Sequence, residues 1–324
     1  MPSPSSQPEP PRESEPIGVR RVAPEHAAAA AERLLGRRDA HSMTAARQFV
    51  QAAPSHGIDL SLLWTTRANP IGQVALVTPG AGRTAMLFLG EPRSDDGPSD
   101  AVARELERLI DAVGEAIRED ARHEVAVLQC LPLPTHDWAH SALRSSGYTH
   151  VGDLAYLSAS LGSQAPPRPD PPGGVRVRLA SELTGDDDLL RALDRSYEHT
   201  LDCPELCGLR STRDILDSHR AAGEHDPTLW RLAYIDDRPE GICLVNPNAD
   251  TGDAELVYLG LSTELRGRGV GAWLLARGMD ETCRRGIDRM ICAVDLRNTP
   301  ALALYRRFGF TETSQRSAFV RTLD

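Results

Sequence analysis

Glu255-Leu-Val-Tyr-Leu-Gly-Leu261 turns through Ser262–Leu265 into Arg266-Gly-Arg-Gly-Val-Gly271, and Ala272-Trp-Leu-Leu-Ala-Arg277 follows. The first run is apolar and β-rich, and the last continues in a helix-like pattern to Gly286. The spacing predicts a strand entering a helix through a loop of glycines and arginines. N–H groups of such a loop lie at the positive end of the helix, and glycines let the backbone come close to a bound anion. The loop is not a Walker A motif, because Gly-x-x-x-x-Gly-Lys-Ser/Thr is absent. A dinucleotide fingerprint needs Gly-x-Gly-x-x-Gly after the first strand of its unit. Gly267-x-Gly269-x-Gly271 has different spacing and comes late.

Working outward, the strand is the second arm of a hairpin whose first arm is Cys243-Leu-Val-Asn-Pro247. The same pattern occurs earlier: Ala75-Leu-Val-Thr-Pro79 leads through a Gly-rich turn to Ala85-Met-Leu-Phe-Leu-Gly90. Each hairpin precedes a long helical stretch, an apolar strand (125–131 and 289–296), a short helix and a Gly-aromatic step, Ser146-Gly-Tyr148 or Phe308-Gly-Phe310. Each half also opens alike, with a short strand (19–23, 175–180) before two helical segments: Pro24–Gly36 and Ser42–Ala53, then Leu183–Thr200 and Thr212–Ala222. Strands at 60–67 and 229–236 lead into the hairpins. The chain thus reads as a duplication of β-α-α-β-β-β-α-β-α-β, an α/β (α+β) class in which a mixed, mostly antiparallel twisted sheet is flanked by helices. Ser163–Gly174, rich in proline, reads as an extended linker between halves at 19–162 and 175–324.

The 324 residues are 40% hydrophobic and 25% charged, as in globular proteins of about two domains. Residues 1–18 are rich in Pro, Ser and Glu and read as a disordered tail without the apolar core of a signal peptide. No run reaches the length of a membrane span, so a cytoplasmic protein without a membrane partner is expected. The net charge of −10 argues against nucleic-acid partners. Cys203 and Cys207 lack two further ligands at short spacing, so no metal is expected and the six cysteines read as free thiols.

Arg266-Gly-Arg-Gly269-Val-Gly271, followed by Asn298-Thr-Pro-Ala…Tyr305, makes the second half resemble the GNAT family of acyl-CoA-dependent N-acyltransferases, and the whole chain resembles tandem GNAT proteins. The resemblance is strong over 230–312 and weaker over 183–222. It implies acetyl-CoA as co-substrate, with its pyrophosphate on the N–H groups of Arg266, Gly267, Arg268, Gly269, Val270, Gly271 and Ala272, and charge-assisted bonds from Arg266 and Arg268. It implies a bulge in Tyr258–Leu261, to which Gly260 is suited, and pantetheine lying along that strand against the main chain of Leu259 and Leu261. Glu255 matches the family's general base and Tyr305 the acid that protonates the leaving thiolate. Asn298 matches a contact to the cofactor arm, and equally suits a helix N-cap.

Where the second half has Glu255, the first has Ala85; where the second has Tyr305, the first has Leu143. The loop becomes Glu91–Asp100, with four acids that would repel a pyrophosphate. The first half is therefore expected to be a degenerate copy. The acceptor is expected to be a small-molecule or peptide primary amine, met by Tyr197, Glu198, His199, Asp202, Glu205 or Arg210. Tandem family members include the enzyme of mycothiol synthesis, but nothing local identifies that acceptor. A non-enzymatic acyl-CoA sensor would keep the loop without needing Glu255 and Tyr305, and a scaffold would need neither.

Overall fold

A computed structural model of the chain describes residues 18–36, 41–97, 99–162 and 172–323. The expected tail and most of the expected linker lie outside the described residues. The first run of elements is β1 (Arg20–Arg21), α1 (Ala27–Leu35), α2 (Ser42–Ala52), β2 (Leu63–Thr65), β3 (Val74–Gly80), β4 (Thr84–Leu89), α3 (Ser99–Arg118), β5 (Val127–Cys130), α4 (Asp137–Ser145) and β6 (Thr149–Ser160). The second is β7 (Arg176–Leu179), α5 (Asp187–Tyr197), α6 (Thr212–Ala221), β8 (Arg231–Ile235), β9 (Arg238–Asn248), β10 (Asp253–Leu261), α7 (Val270–Arg284), β11 (Arg289–Asp295), α8 (Thr299–Arg307) and β12 (Thr311–Thr322). The order is the same twice, as the sequence pattern implied.

These elements form two compact units, one within residues 1–76 and 88–113, the other within 77–87 and 114–324. In the smaller unit β1 and β3 flank β2 in antiparallel register, Arg20↔Thr65 and Leu63↔Leu76. Ala30, Leu63, Val74 and Leu76 are its buried centre. Asp96, in the loop expected to repel phosphate, is itself held by cations. Its carboxylate accepts from Arg33 Nη1 and Nη2 at 2.9 and 2.6 Å, Gln73 Nε2 at 2.9 Å and the Arg93 N–H at 2.6 Å. Both side chains of the Arg33–Asp96 pair are nearly inaccessible, at 5% and 6%. Burial opposes the charge, but the donors outweigh it and bring the Asp96 carboxyl down to about 2.

In the larger unit the strand order is β4-β5-β12-β6-β11-β10-β9-β8-β7. The last strands of the two repeats are exchanged: β12 lies against β5, and β6 against β11. β12 and β6 also pair with each other along most of their length. Strand alternation gives this sheet two faces. On β9, Cys243 and Val245 join a core with Leu256, Val270, Leu274, Met290, Leu302 and Tyr305 under α7 and α8. Ile242 and Leu244 join Leu189, Leu193, Leu216 and Trp230 under α5 and α6. Asn246, fully buried, caps α6: its Nδ2 donates to the carbonyls of His219 (2.8 Å) and Ala222 (2.5 Å), and its Oδ1 accepts from Trp230 Nε1 (2.7 Å). Cys130, Cys243 and Cys292 are buried free thiols whose pKa burial pushes up to about 12.

The repeats superpose in register as well as order. Ala85↔Leu128 and Glu255↔Ile291 occupy matching places in parallel pairs. The Tyr148 N–H bonds the Leu143 carbonyl at 2.9 Å, just as the Phe310 N–H bonds that of Tyr305 at 3.0 Å. Leu143, fully buried, therefore stands in the place of Tyr305.

Candidate active site

β10 and β11 pair only at Ala254↔Met290 and Glu255↔Ile291. Beyond this point the strands separate, and a cavity of about 580 Å³ opens, lined by Leu256–Leu261 on one side and Ala293 and Val294 on the other. The cause lies one turn of the pleat earlier than expected. The register of β10 against β9 shifts between Leu256 and Tyr258, so the bulged residue is Val257, not Gly260. Val257 and Tyr258 consequently both face the α5–α6 core, while Leu259 and Leu261 return to the α7–α8 side. Gly260 stays in the ladder opposite Ile242. Its lack of a side chain serves packing: a Cβ there would lie 2.7 Å from Ser196 Cβ and 2.5 Å from Tyr258 Cε1.

The loop expected to hold an anion borders this cavity with Arg266, Gly267, Gly269, Val270, Gly271 and Ala272. Gly267 and Gly269 have φ of 73° and 79°, the left-handed region, and a Cβ on either would meet nothing within 4 Å. Backbone conformation, rather than crowding by the protein, requires glycine at both. Gly269 is the N-cap of α7, and its carbonyl accepts the Trp273 N–H at 3.1 Å. The N–H groups of Val270, Gly271 and Ala272 therefore have no intrahelical acceptor and are available to an anion.

The two arginines do not act as a pair. Arg266 bonds Leu261 O through Nε (3.0 Å), His199 O through Nη1 (3.0 Å), and Ser196 O (3.1 Å) and Glu198 O (2.7 Å) through Nη2. Its donors satisfy carbonyls at the C-terminal end of α5, which the helix itself leaves open. Arg266 thus braces the loop against the end of the helix while still lining the cavity. Arg268 is exposed, among the described residues reaches only the carbonyls of Glu264 (3.4 Å) and Gly173 (3.3 Å), and is not among the cavity-lining residues.

Tyr305 and Asn298 line the cavity from α8. Asn298 is also the helix N-cap, its Oδ1 accepting from the Ala301 N–H at 3.3 Å. Tyr305 is 6% exposed, with its ring 5.5 Å from that of Phe310. Among the described residues its hydroxyl has no hydrogen-bond partner. Burial drives its pKa well above the ordinary phenol value, so the hydroxyl keeps its proton. Glu255 is not a lining residue. It sits at the last paired position, between Ala254 and Leu256 of the α7–α8 core, so its side chain leaves the opposite face of the sheet. Burial raises its carboxyl pKa.

Of the six polar residues expected to meet an acceptor, His199 and Asp202 line the cavity. Glu205 instead pairs with Arg297 at 2.6 Å, and Arg210 donates to Gly82 O and Ser218 Oγ. Tyr197 packs its ring 5.6 Å from that of Tyr258. Asp202 is set apart by a contact across 93 residues that no local pattern announces: its Oδ1 accepts the Asp295 N–H at 2.8 Å. Burial, the largest cause, raises its pKa; that N–H partly offsets the effect and the Asp295 charge adds to it.

The profile of the Acetyltransferase (GNAT) family matches residues 193–310. The mycothiol acetyltransferase of Clavibacter sepedonicus is 30% identical over 266 residues, covering 76% of this chain and 84% of the relative. That of Catenulispora acidiphila is 28% identical over 247 residues, covering 72% and 76%. Among solved structures, a GCN5-related N-acetyltransferase from Sphaerobacter thermophilus has the same fold over 95% of this chain and 96% of its own, with a TM-score of 0.62 at 20% identity. A tandem GNAT protein from the clavulanic acid biosynthesis pathway gives 0.52 at 13% identity, over 95% and 99%.

Proposed function

The chain belongs to the GNAT acetyltransferase family and catalyses acetyl-CoA-dependent N-acetylation, and from that premise we propose that its second repeat, 175–324, carries the one working site and acetylates a small primary amine of the kind mycothiol acetyltransferases act on. The loop N–H groups at Gly269–Ala272 receive the pyrophosphate of the donor. The main chain of Leu259 and Leu261 and the side chain of Asn298 border its pantetheine arm. Arg266 fixes the loop, and Arg268 lends only long-range charge. The first repeat, with Ala85 and Leu143 in place of Glu255 and Tyr305, supplies strands and no proton chemistry.

The donor contributes a thioester whose acetyl group passes to the amine as the thiol leaves. Glu255, with a carboxyl pKa raised by burial, is a stronger base than an exposed glutamate and takes the proton from the acceptor nitrogen. It works from the far face of the sheet, so the amine enters from that side and the donor lies between. Tyr305 gives its proton to the departing sulfur. A thiolate leaving beside the buried phenol in the same cavity has its own pKa raised by burial, which favours transfer from the phenol.

The observation carrying this reading is the Tyr305 hydroxyl, without a partner among the described residues, in a cavity that begins where β10 and β11 stop pairing. The test is mass-spectrometric detection of acetyl transfer from acetyl-CoA to deacetylated mycothiol, beside glucosamine, spermidine and dipeptides. Turnover of the first above the others is expected. Transfer only to peptides contradicts the acceptor class, and transfer to none contradicts the proposed site.

A further inference from the structure

The turn between α5 and α6 brings Asp202 and Glu205 beside Asp295, the last residue of β11, and Arg297 just beyond it. Arg297 is committed to two of these carboxylates. Its Nη1 and Nη2 meet the Glu205 oxygens at 2.6 and 2.8 Å, while Nε and Nη2 meet Asp295 Oδ2 at 3.0 and 2.6 Å. Nη2 also reaches the Val151 carbonyl at 2.6 Å. Among the described residues Asp202 makes no ion pair. Its Oδ1 takes the Asp295 N–H, and Asp295 Oδ2 in return takes the Cys203 N–H at 3.0 Å. Among the described residues its other oxygen, Oδ2, has no protein partner.

The turn is held firmly enough to aim this carboxylate. His199 and Cys203 have φ of 52° and 43°, a region that side-chain-bearing residues rarely adopt without outside support. Arg266 supplies support at the Glu198 and His199 carbonyls, and the Thr200 hydroxyl accepts the Asp202 N–H at 3.1 Å. Asp202 lines the same cavity as Tyr305, Tyr258 and Ala293. A half-buried carboxylate with a free oxygen and no cation of its own carries a desolvation cost that a bound cation would offset.

We infer that Asp202 is a specificity-determining residue that receives the ammonium group of the acceptor, completing with the ligand's charge the ion pairing that the protein leaves open. The inference deepens the proposed function and rests on it. The chosen acceptor is then an amine that arrives protonated and docks on Asp202 Oδ2; it loses one proton to Glu255 before attack and, once the C–N bond forms and the C–S bond breaks, a second to the Tyr305 phenolate left by protonation of the thiolate. Neutral analogues of the same shape are refused because they leave the carboxylate unpaired.

Asp202→Asn is the informative change, because an amide oxygen can still accept the Asp295 N–H while the charge is removed. The probes are deacetylated mycothiol and its analogue with hydroxyl in place of the amino group, titrated into CoA-saturated protein. Wild type should prefer the amine by about 10- to 100-fold, the span of a hydrogen bond to a charged group. Asp202→Asn should lose most of that preference and show a raised acceptor KM, with kcat and acetyl-CoA affinity little changed. A merely structural role would weaken both probes equally. Preference surviving in the variant, or a loss confined to acetyl-CoA binding, overturns the role of Asp202. Wild type that binds neither probe overturns the acceptor class, and this inference falls with it.

Discussion

Replacing Tyr305 by Phe removes one oxygen and nothing else from the α7–α8 core. The ring contributes burial, at 6% exposure and 5.5 Å from Phe310, and Phe preserves it. The hydroxyl has no hydrogen bond to break among the described residues, so no partner is orphaned. Folding stability should therefore change by no more than about 0.5 kcal/mol. Catalysis should change far more. General acid–base contributions run to about 10²–10⁴-fold, equivalent to about 2.7–5.4 kcal/mol of barrier. The decisive assay measures kcat by release of CoA and acetyl-CoA affinity by calorimetry on the same preparation, with Tm as a control. The expected result is kcat lower by at least 10²-fold, affinity within about threefold, and an unchanged Tm. Equal losses in kcat and affinity would refute the reasoning, since they would make Tyr305 a binding residue. A full kcat would show that the leaving thiolate finds its proton elsewhere.

Asp96→Asn strands Arg33 in the interior and should cost about 3–5 kcal/mol in denaturant unfolding. Because the folded-state pKa of Asp96 is depressed to about 2, its contribution is complete above pH ~4 and is lost as pH falls through about 2, so the gap between wild type and variant should narrow over that interval. Glu255→Gln should lower kcat and remove the acid limb of the kcat/KM profile, a limb placed above the usual carboxylate range by burial; a profile unchanged in shape would assign the limb to another group. Asn246→Leu leaves the Trp230 N–H and two α6 carbonyls without partners and should destabilise by about 2–4 kcal/mol, read by thermal unfolding. Gly260→Ala forces a methyl against Ser196 and Tyr258 and should cost about 1–3 kcal/mol while narrowing the cavity, read as lower Tm and weaker acetyl-CoA binding.

What the sequence made legible was local. Arg266–Gly271 between a strand-like and a helix-like run identified the loop, because backbone conformation there depends on glycines visible in order. The doubled pattern of hairpin, helix, strand and Gly-aromatic step exposed the duplication, and counting back from Phe310 and Tyr148 aligned Tyr305 with Leu143. What stayed hidden depends on partners distant in the chain. The exchange of β6 and β12 is a choice between two chemically similar strands. The bulge falls at Val257 because β10 must fit β9, which no residue of β10 declares, and Gly260 drew the expectation because glycine suits bulges and close packing alike. The engagement of Arg266 follows from where α5 ends. Likewise Asp202 and Asp96 owe their character to Asp295 and Arg33, 93 and 63 residues away.

The central claim is that one repeat, through the α7 loop, holds the donor. Titration calorimetry of the purified chain with acetyl-CoA tests it without any guess about the amine. Gly269→Glu is the companion variant, with Gly269→Ala as the control for strain at φ 79°. The account predicts one site per chain in wild type, retained though weakened in Gly269→Ala and lost in Gly269→Glu. Two sites in wild type, no binding at all, or unchanged binding in Gly269→Glu would contradict it.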